Sequence, residues 1–401
     1  MRIPILVCAL AYAAYSFANG PTWQRDVAAS SLPPQSVSAL IIDIQLVDPS
    51  SFAVMGANGS FRPSSFDSGF NPTGTEPPFF QIFDQAFLKV LGKAPSLTEI
   101  ASNDTFAFAH EAPIYVAALD SVFFASNDGG PLGMSDINHN SRVGRIDLKD
   151  LPAHLNGTPV NIPVVELDLP QSIQMTNGGT GPYRGNLLLI TSGRGPLPPS
   201  IALVNPNPPH NATVLLDNFF GRQFNSLNDI KIHPTSGNIF FTDTVYGWLN
   251  HFRPEPLMPN QVYRLNPDTG AVRVVATDFD RNNGIAFTGD GKTAYVTDTG
   301  AQGGFLGINQ TQPATIYAYD VDPTTETGIP DGIQVDTEGN VYSGCGDGVQ
   351  VWNSAGDLIG KIFLGTTSAN MAFAGPGRLV IMAETKIFLA EIATSPSLFS
   401  S

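Results

Sequence analysis

The stretch FNSLNDIKIHPTSGNIFFTDTVYG, residues 224–247, limits what this chain can fold into more than any other, because its pattern recurs. It opens on Asn228-Asp229, alternates through Ile230 and Ile232, turns at Thr235-Ser236-Gly237-Asn238 and returns as Ile239-Phe240-Phe241. Two short apolar segments around a glycine-containing turn make a β-hairpin. The same order returns at Asn283-Gly284 with a turn at Asp290-Gly291, and at Asp331-Gly332 with a turn at Glu338-Gly339. Three more copies fit the frame: Glu111 with a turn at Asp120, Asn177-Gly178 with a turn at Gly185-Asn186, and Asn370 with a turn at Pro376-Gly377. The six starts are spaced by 66, 51, 55, 48 and 39 residues. Each interval accommodates about four short strands, and repeats of that size build propellers, solenoids or arrays.

The expected fold is therefore all-β, a six-bladed β-propeller. Third and fourth strands follow most hairpins, as in QVYRLNP then AVRVVAT and GVQVWNS then DLIGKIFL. The strand near Leu97 to Ser102 is expected to close the ring by completing the last blade beside TKIFLAEIA. The fourth unit departs from the pattern, since only eleven steps separate Asp320 from Asp331. That blade is expected to be one strand short, with an edge left unpaired.

A chain of 401 residues with 39 glycines and 33 prolines but only 14% charged residues has the composition of many strands joined by turns. The net charge of −15 argues against nucleic acid or an anionic membrane as partner and is compatible with a bound cation. The first eighteen residues, MRIPILVCALAYAAYSFA, carry a basic start at Arg2, an apolar run too short for the roughly 20 residues of a bilayer span, and small residues at Ser16 and Ala18. They read as a secretory signal, residues 1–18, which implies an extracellular protein. Sequons at Asn58, Asn103, Asn156, Asn211 and Asn309 agree with secretion and glycosylation. Residues 19–95 read as an irregular extension packed on the propeller, which occupies 96–395. Removal of the signal would leave Cys345 alone, a small apolar thiol with no basic neighbour to activate it.

The innermost strand of each blade lines a propeller's channel, so Glu111, Asn228, Asn283 and Asp331 are expected to meet at one mouth of it. Two carboxylates and two amide oxygens, without Cys or His, form a hard-oxygen set suited to Ca²⁺ rather than Zn²⁺. Turn chemistry accounts equally for Asn and Asp at such places. It does not account for Glu111, a poor turn residue. Asn177 and Asn370 reach the same mouth and, with Asn228, are candidate contacts for substrate hydroxyls, although plain turn roles fit Asn177 and Asn370 as well. His110 adjoins Glu111, and strand alternation is expected to turn it away from the channel as a packing or supporting residue. Tyr246 and Trp248 are candidate lip residues.

HEAPIYVAALDSVFFAS, FGRQFNSLNDIKIHPTSGNIFFTDTVYG, NNGIAFTGDGKTAYVTDTG and the run from PDGIQVDTEGNVYSGCGDG through NMAFAGPGRL together resemble the SMP-30/gluconolactonase/luciferin-regenerating-enzyme family. More narrowly they are similar to the secreted fungal lactonohydrolases of gluconolactonase or D-pantonolactone hydrolase type. The likeness covers about residues 85 to 395. It implies a six-bladed propeller with one calcium ion in the channel, acting as a hydrolase on cyclic esters. The metal ligands it implies are Glu111, Asn228, Asn283 and Asp331, with Asp331 also the general base toward a water, or else a nucleophile. A monomer acting on a sugar-type or hydroxylated lactone is the expectation, with ester or phosphotriester hydrolysis, or a calcium-stabilised binding propeller, as alternatives. Ser226 stands where animal members carry arginine, so their sugar contact does not transfer.

Overall fold

The computed structural model describes residues 3–7, 44–46, 74–155, 157–321, 333–345 and 347–396. Six antiparallel sheets stand around an axis as the blades of a propeller. Their innermost strands, in ring order, are Glu111–Val116, Thr176–Tyr183, Leu227–Ile232, Asn282–Phe287, Ile333–Val335 and Asn370–Phe373, each packed against the next, with the last returning to the first.

The apolar runs explain how the blades hold together. Asn186–Thr191 and Ile239–Asp243 are second strands, buried on both faces, so they read as nearly continuous hydrophobic segments. Successive side chains then serve opposite neighbours. Leu187 and Leu189 pack toward blade 1, whereas Leu188 and Ile190 pack toward blade 3. Phe241 joins the layer between blades 2 and 3, and Phe240 joins Ile285 and Phe287 between blades 3 and 4. Among the described residues six such layers are found, one between each pair of adjacent blades. At roughly 1.5–3 kcal/mol for each large side chain removed from water, these layers supply the main force joining the blades.

Closure follows the expectation: Ser96–Ser102 pairs antiparallel with Lys386–Glu391 as the outer strand of blade 6. Among the described residues the fourth blade contributes three strands of its own, Asn282–Phe287, Thr293–Asp298 and Thr315–Asp320. In the uncleaved chain Ile3–Val7 pairs antiparallel with Thr315–Asp320 as a fourth strand; removal of residues 1–18 would leave that edge open, as expected. The extension is more regular than its composition suggests. Phe79–Ile82 and Ile44–Leu46 extend blade 5 outward, and the helix Ala86–Leu91 buries Phe87, Val90 and Leu91 between blades 5 and 6.

The faces of the ring differ in their loops. On the face where the inner strands begin, the second and third strands are joined by long segments in blades 1 to 4, residues 126–142, 192–199, 244–260 and 299–314. In blades 5 and 6 the same connections are two-residue turns. One side of that face is walled and the other is low.

Candidate active site

A cavity of about 770 Å³ opens on this face, and Glu111, Asn177, Asn228 and Asn283 all line it. Each comes from the start of a different inner strand. The backbone detail that aims them is a bulge. In blade 2 the ladder pairs Thr176 with Thr191 and then Gly179 with Leu189, so Asn177 and Gly178 together oppose one residue. In blade 3 Asn228 and Asp229 lie between the pairs Leu227–Asp243 and Ile230–Phe241, and in blade 4 Asn283 and Gly284 lie between Asn282–Asp298 and Ile285–Val296. A bulge re-aims a side chain out of the strand's alternation, and here it does so at the same place in successive blades. Blade 1 has its bulge directly after Glu111, with Ala112 at φ 51°.

Neighbouring groups fix how each donor points. The Asn177 amide nitrogen donates to Asp128 Oδ2 at 3.2 Å and to Ser192 Oγ at 3.3 Å, which leaves Asn177 Oδ1 buried without a hydrogen-bond partner. The Asn283 nitrogen donates to Thr299 Oγ1 at 3.4 Å. Asn228 is buried and makes no side-chain hydrogen bond among the described residues. Glu111 is buried and accepts the Asn370 amide at 3.2 Å. Burial pushes the Glu111 carboxyl up to about 8, against the pull of His110 and Asn370 toward ionisation.

Two amides with unengaged oxygens, Asn228 and Asn283, and the desolvated Glu111 carboxylate are oxygen donors of the kind a hard cation takes. Among the described residues no three His, Cys, Asp or Glu side chains gather as a metal cluster. Asp331, expected as the fourth ligand and base, lies outside the described residues.

Two expectations change. His110 is not turned away but lines the cavity, its Nε2 3.8 Å from Glu111 Oε1 and its Nδ1 2.7 Å from Glu384 Oε1. It precedes the first ladder residue and the bulge follows at once, so simple alternation does not govern it. Burial disfavours its charge, but the Glu384 and Glu111 carboxylates lift the imidazole to about 9. Asn370 is not exposed to the cavity as a contact for substrate. Its nitrogen serves Glu111, and its oxygen accepts the Met371 backbone N–H at 2.9 Å, so both ends are committed. Tyr246 lines the cavity, with its hydroxyl 2.6 Å from Thr299 Oγ1, while Trp248 packs edge-on against Phe305.

Several supporting carboxylates went unnoticed in the sequence. Asp243 accepts the backbone N–H groups of Asn225 and Ser226, three and two residues before Asn228. Asp298 accepts those of Asp280 and Arg281, three and two residues before Asn283. The repeated Thr-Asp-Thr at 242–244 and 297–299 carries this device and was visible in the repeat. Burial lifts Asp243 to about 7 despite its two N–H donors. Asp229 stitches blade 3 to blade 4 by accepting Ile285 N–H at 2.8 Å. Asp128, held up by burial, orients Asn177 as described.

Comparison with known proteins agrees with this architecture. The profile described as SMP-30/Gluconolactonase/LRE-like region matches residues 125–384. The "Lactonohydrolase oryL" of Aspergillus oryzae is 30% identical over 332 residues, covering 75% of this chain and 70% of that protein. The "Gluconolactonase" of Zymomonas mobilis is 29% identical over 171 residues, covering 37% of this chain and 45% of its own length. The structure of a gluconolactonase from Xanthomonas campestris superposes with a TM-score of 0.58 at 23% identity, covering 80% of this chain and 96% of that one, and shares the fold. With the profile spanning well over half of the residues and the inner-strand frame intact, the chain belongs to the SMP-30/gluconolactonase/LRE-like family.

Proposed function

We propose that this protein is a secreted, calcium-dependent lactonase that opens a lactone to its hydroxy acid. One observation carries the reading: Glu111, Asn177, Asn228 and Asn283, from four successive blades, line one cavity, and the Asn177 oxygen is buried without a hydrogen-bond partner among the described residues. The lactonohydrolase and gluconolactonase relatives support the reaction class.

Glu111, Asn228 and Asn283, with Asp331, would hold the ion. When bound, Ca²⁺ supplies Lewis-acid polarisation of the lactone carbonyl and stabilises the charge that develops on its oxygen. The chain's own groups supply the rest. The Asp331 carboxylate takes the proton from the attacking water. The His110 ring, 2.7 Å from Glu384 through Nδ1, lies beside Glu111 at the cavity wall. Asn370 keeps Glu111 from rotating, and the Asp243 and Asp298 clamps fix the approach of the strands that carry Asn228 and Asn283.

The test is proton release from a panel of sugar, pantoyl and alkyl lactones, comparing wild type, chelator-treated protein and Asp331→Asn. The expected result is turnover by wild type alone, restored to the treated sample by Ca²⁺. If Ca²⁺ raises the melting temperature while no lactone opens, the protein is a binding propeller and the enzyme reading is lost. Secretion has its own check. Amino-terminal sequencing of protein from the culture medium is expected to begin near residue 19. A mature chain that retains Arg2 would keep Ile3–Val7 on blade 4 and contradict the signal reading.

A further inference from the structure

The large apolar side chains of the cavity lie on one side of it. Toward blades 5 and 6, where the connecting turns are short, it is lined by Ser343, Gln350, Thr367, Ser368 and the buried pair Lys361–Asp347, with Nζ to Oδ2 at 2.7 Å. Toward blades 3 and 4 it carries the large apolar side chains Leu249, Phe305 and Ile308, with Tyr246, among the polar Asn250, His251, Thr299 and Gln302. Phe305 and Ile308 stay 49% and 54% exposed, although most other phenylalanines of the described chain are buried. Large apolar side chains left half exposed at a cavity mouth make a surface suited to an apolar ligand.

This wall is built rather than loose. Residues 302–308 close on themselves through Gly303 N–H to Gly307 O at 3.0 Å and a bridge between Gln302 and Ile308. Gly304, at φ 54°, lets this turn touch the loop of blade 3: a Cβ there would sit 2.8 Å from Leu249 Cβ and 3.0 Å from Leu249 O. The Phe305 ring stacks on His251 with centroids 4.3 Å apart and meets Trp248 edge-on at 5.6 Å. Blades 1 and 2 buttress the same loop, since Gly195 N–H donates to Phe252 O at 2.7 Å and the Asn250 amide to Asp128 O at 3.3 Å. The apolar face is thus pre-formed beside Asn283 and Thr299, continuous with the donor end of the cavity.

A lactone bearing a hydroxyl on every carbon would set several of them against this wall without partners, which costs affinity for each one desolvated. A cavity of about 770 Å³ is also far roomier than one six-carbon ring requires. Resting on the lactonase reading, we propose that the substrate is an amphipathic lactone, whose ester faces Glu111, Asn228 and Asn283 and whose alkyl or acyl substituent of several carbons lies on Leu249, Phe305 and Ile308. The reaction balances as lactone plus water. The water oxygen bonds to the carbonyl carbon, the ring C–O bond breaks, the ring oxygen leaves as a hydroxyl, and the new carboxylic acid releases one proton at neutral pH.

The experiment is proton release from γ-butyrolactone, γ-hexalactone, γ-octalactone and glucono-δ-lactone, by calcium-loaded wild type, Phe305→Ala and Phe305→Leu. Wild-type kcat/KM is expected to rise about 4-fold for each methylene that reaches the wall. The octalactone-to-butyrolactone ratio is expected to fall about 10-fold in Phe305→Ala and to survive in Phe305→Leu. Faster opening of glucono-δ-lactone than of octalactone by wild type, or an unchanged ratio in folded Phe305→Ala, would overturn the substrate class while leaving the lactonase standing. Failure of every lactone would remove both.

Discussion

Glu111→Gln is expected to lower kcat/KM for lactone opening by about 10³-fold while leaving the chelator-treated protein no less stable than wild type. The two halves have one cause. Of the four residues that begin successive inner strands and line the cavity, Glu111 alone is a carboxylate, so its loss removes a direct charged contact for a dication and leaves Asp128 as the neighbouring charge. Without the ion, that charge is a burden: Glu111 is buried, and burial pushes its carboxyl up to about 8. Glutamine keeps the shape and an acceptor for the Asn370 amide while removing the desolvation cost. Thermal unfolding with and without Ca²⁺ measures both halves. Wild type should gain about 2.7 kcal/mol at an ion concentration a hundredfold above Kd, and the variant almost nothing. Equal Ca²⁺ stabilisation of the two proteins would show that Glu111 is not a ligand.

Gly178→Val is expected to cost at least about 100-fold in kcat in protein that remains folded, with a stability loss of about 1–3 kcal/mol or more. A Cβ at Gly178 would lie 2.4 Å from the Asn228 backbone oxygen and 2.7 Å from Asp229 Cα, and neither is the end of a flexible side chain. Blades 2 and 3 must therefore separate, or their inner strands slide, at the point where Asn177 and Asn228 face the cavity. Displacements near 1 Å at a reacting centre cost about that much in rate. Circular dichroism and a pH-stat assay on the same sample check it. Wild-type kcat in folded Gly178→Val would show that the spacing of these two strands does not set the site.

That glycine also shows where the sequence was legible and where it was not. Asn177-Gly178 reads as turn chemistry, yet both residues lie inside an eight-residue inner strand, Thr176–Tyr183, and the glycine answers to the neighbouring blade. The hairpin frame told the blade order, the closure by Ser96–Ser102 and that Glu111, Asn177, Asn228 and Asn283 stand at the starts of inner strands, because each of these rests on period-two burial and local turns. It missed the bulges, since a bulge is one extra residue in a pairing register and leaves no compositional trace. For the same reason it mistook the direction of His110, which alternation would have hidden and the structure turns into the cavity. The Asp243 and Asp298 clamps were within reach through the repeated Thr-Asp-Thr, but their partners are backbone N–H groups, which sequence does not display. The strand Ile3–Val7 on blade 4 is a long-range pairing whose apolar residues fit a secretory signal equally well.

The claim that the inner strands converge on a cation is tested most directly by calorimetric titration of Ca²⁺ into chelator-stripped protein, with Glu111→Gln and Asn228→Leu alongside. One site per chain in wild type, lost in both variants, is the predicted result. Absence of binding heat in wild type, with lactone hydrolysis unchanged by chelator, would contradict it.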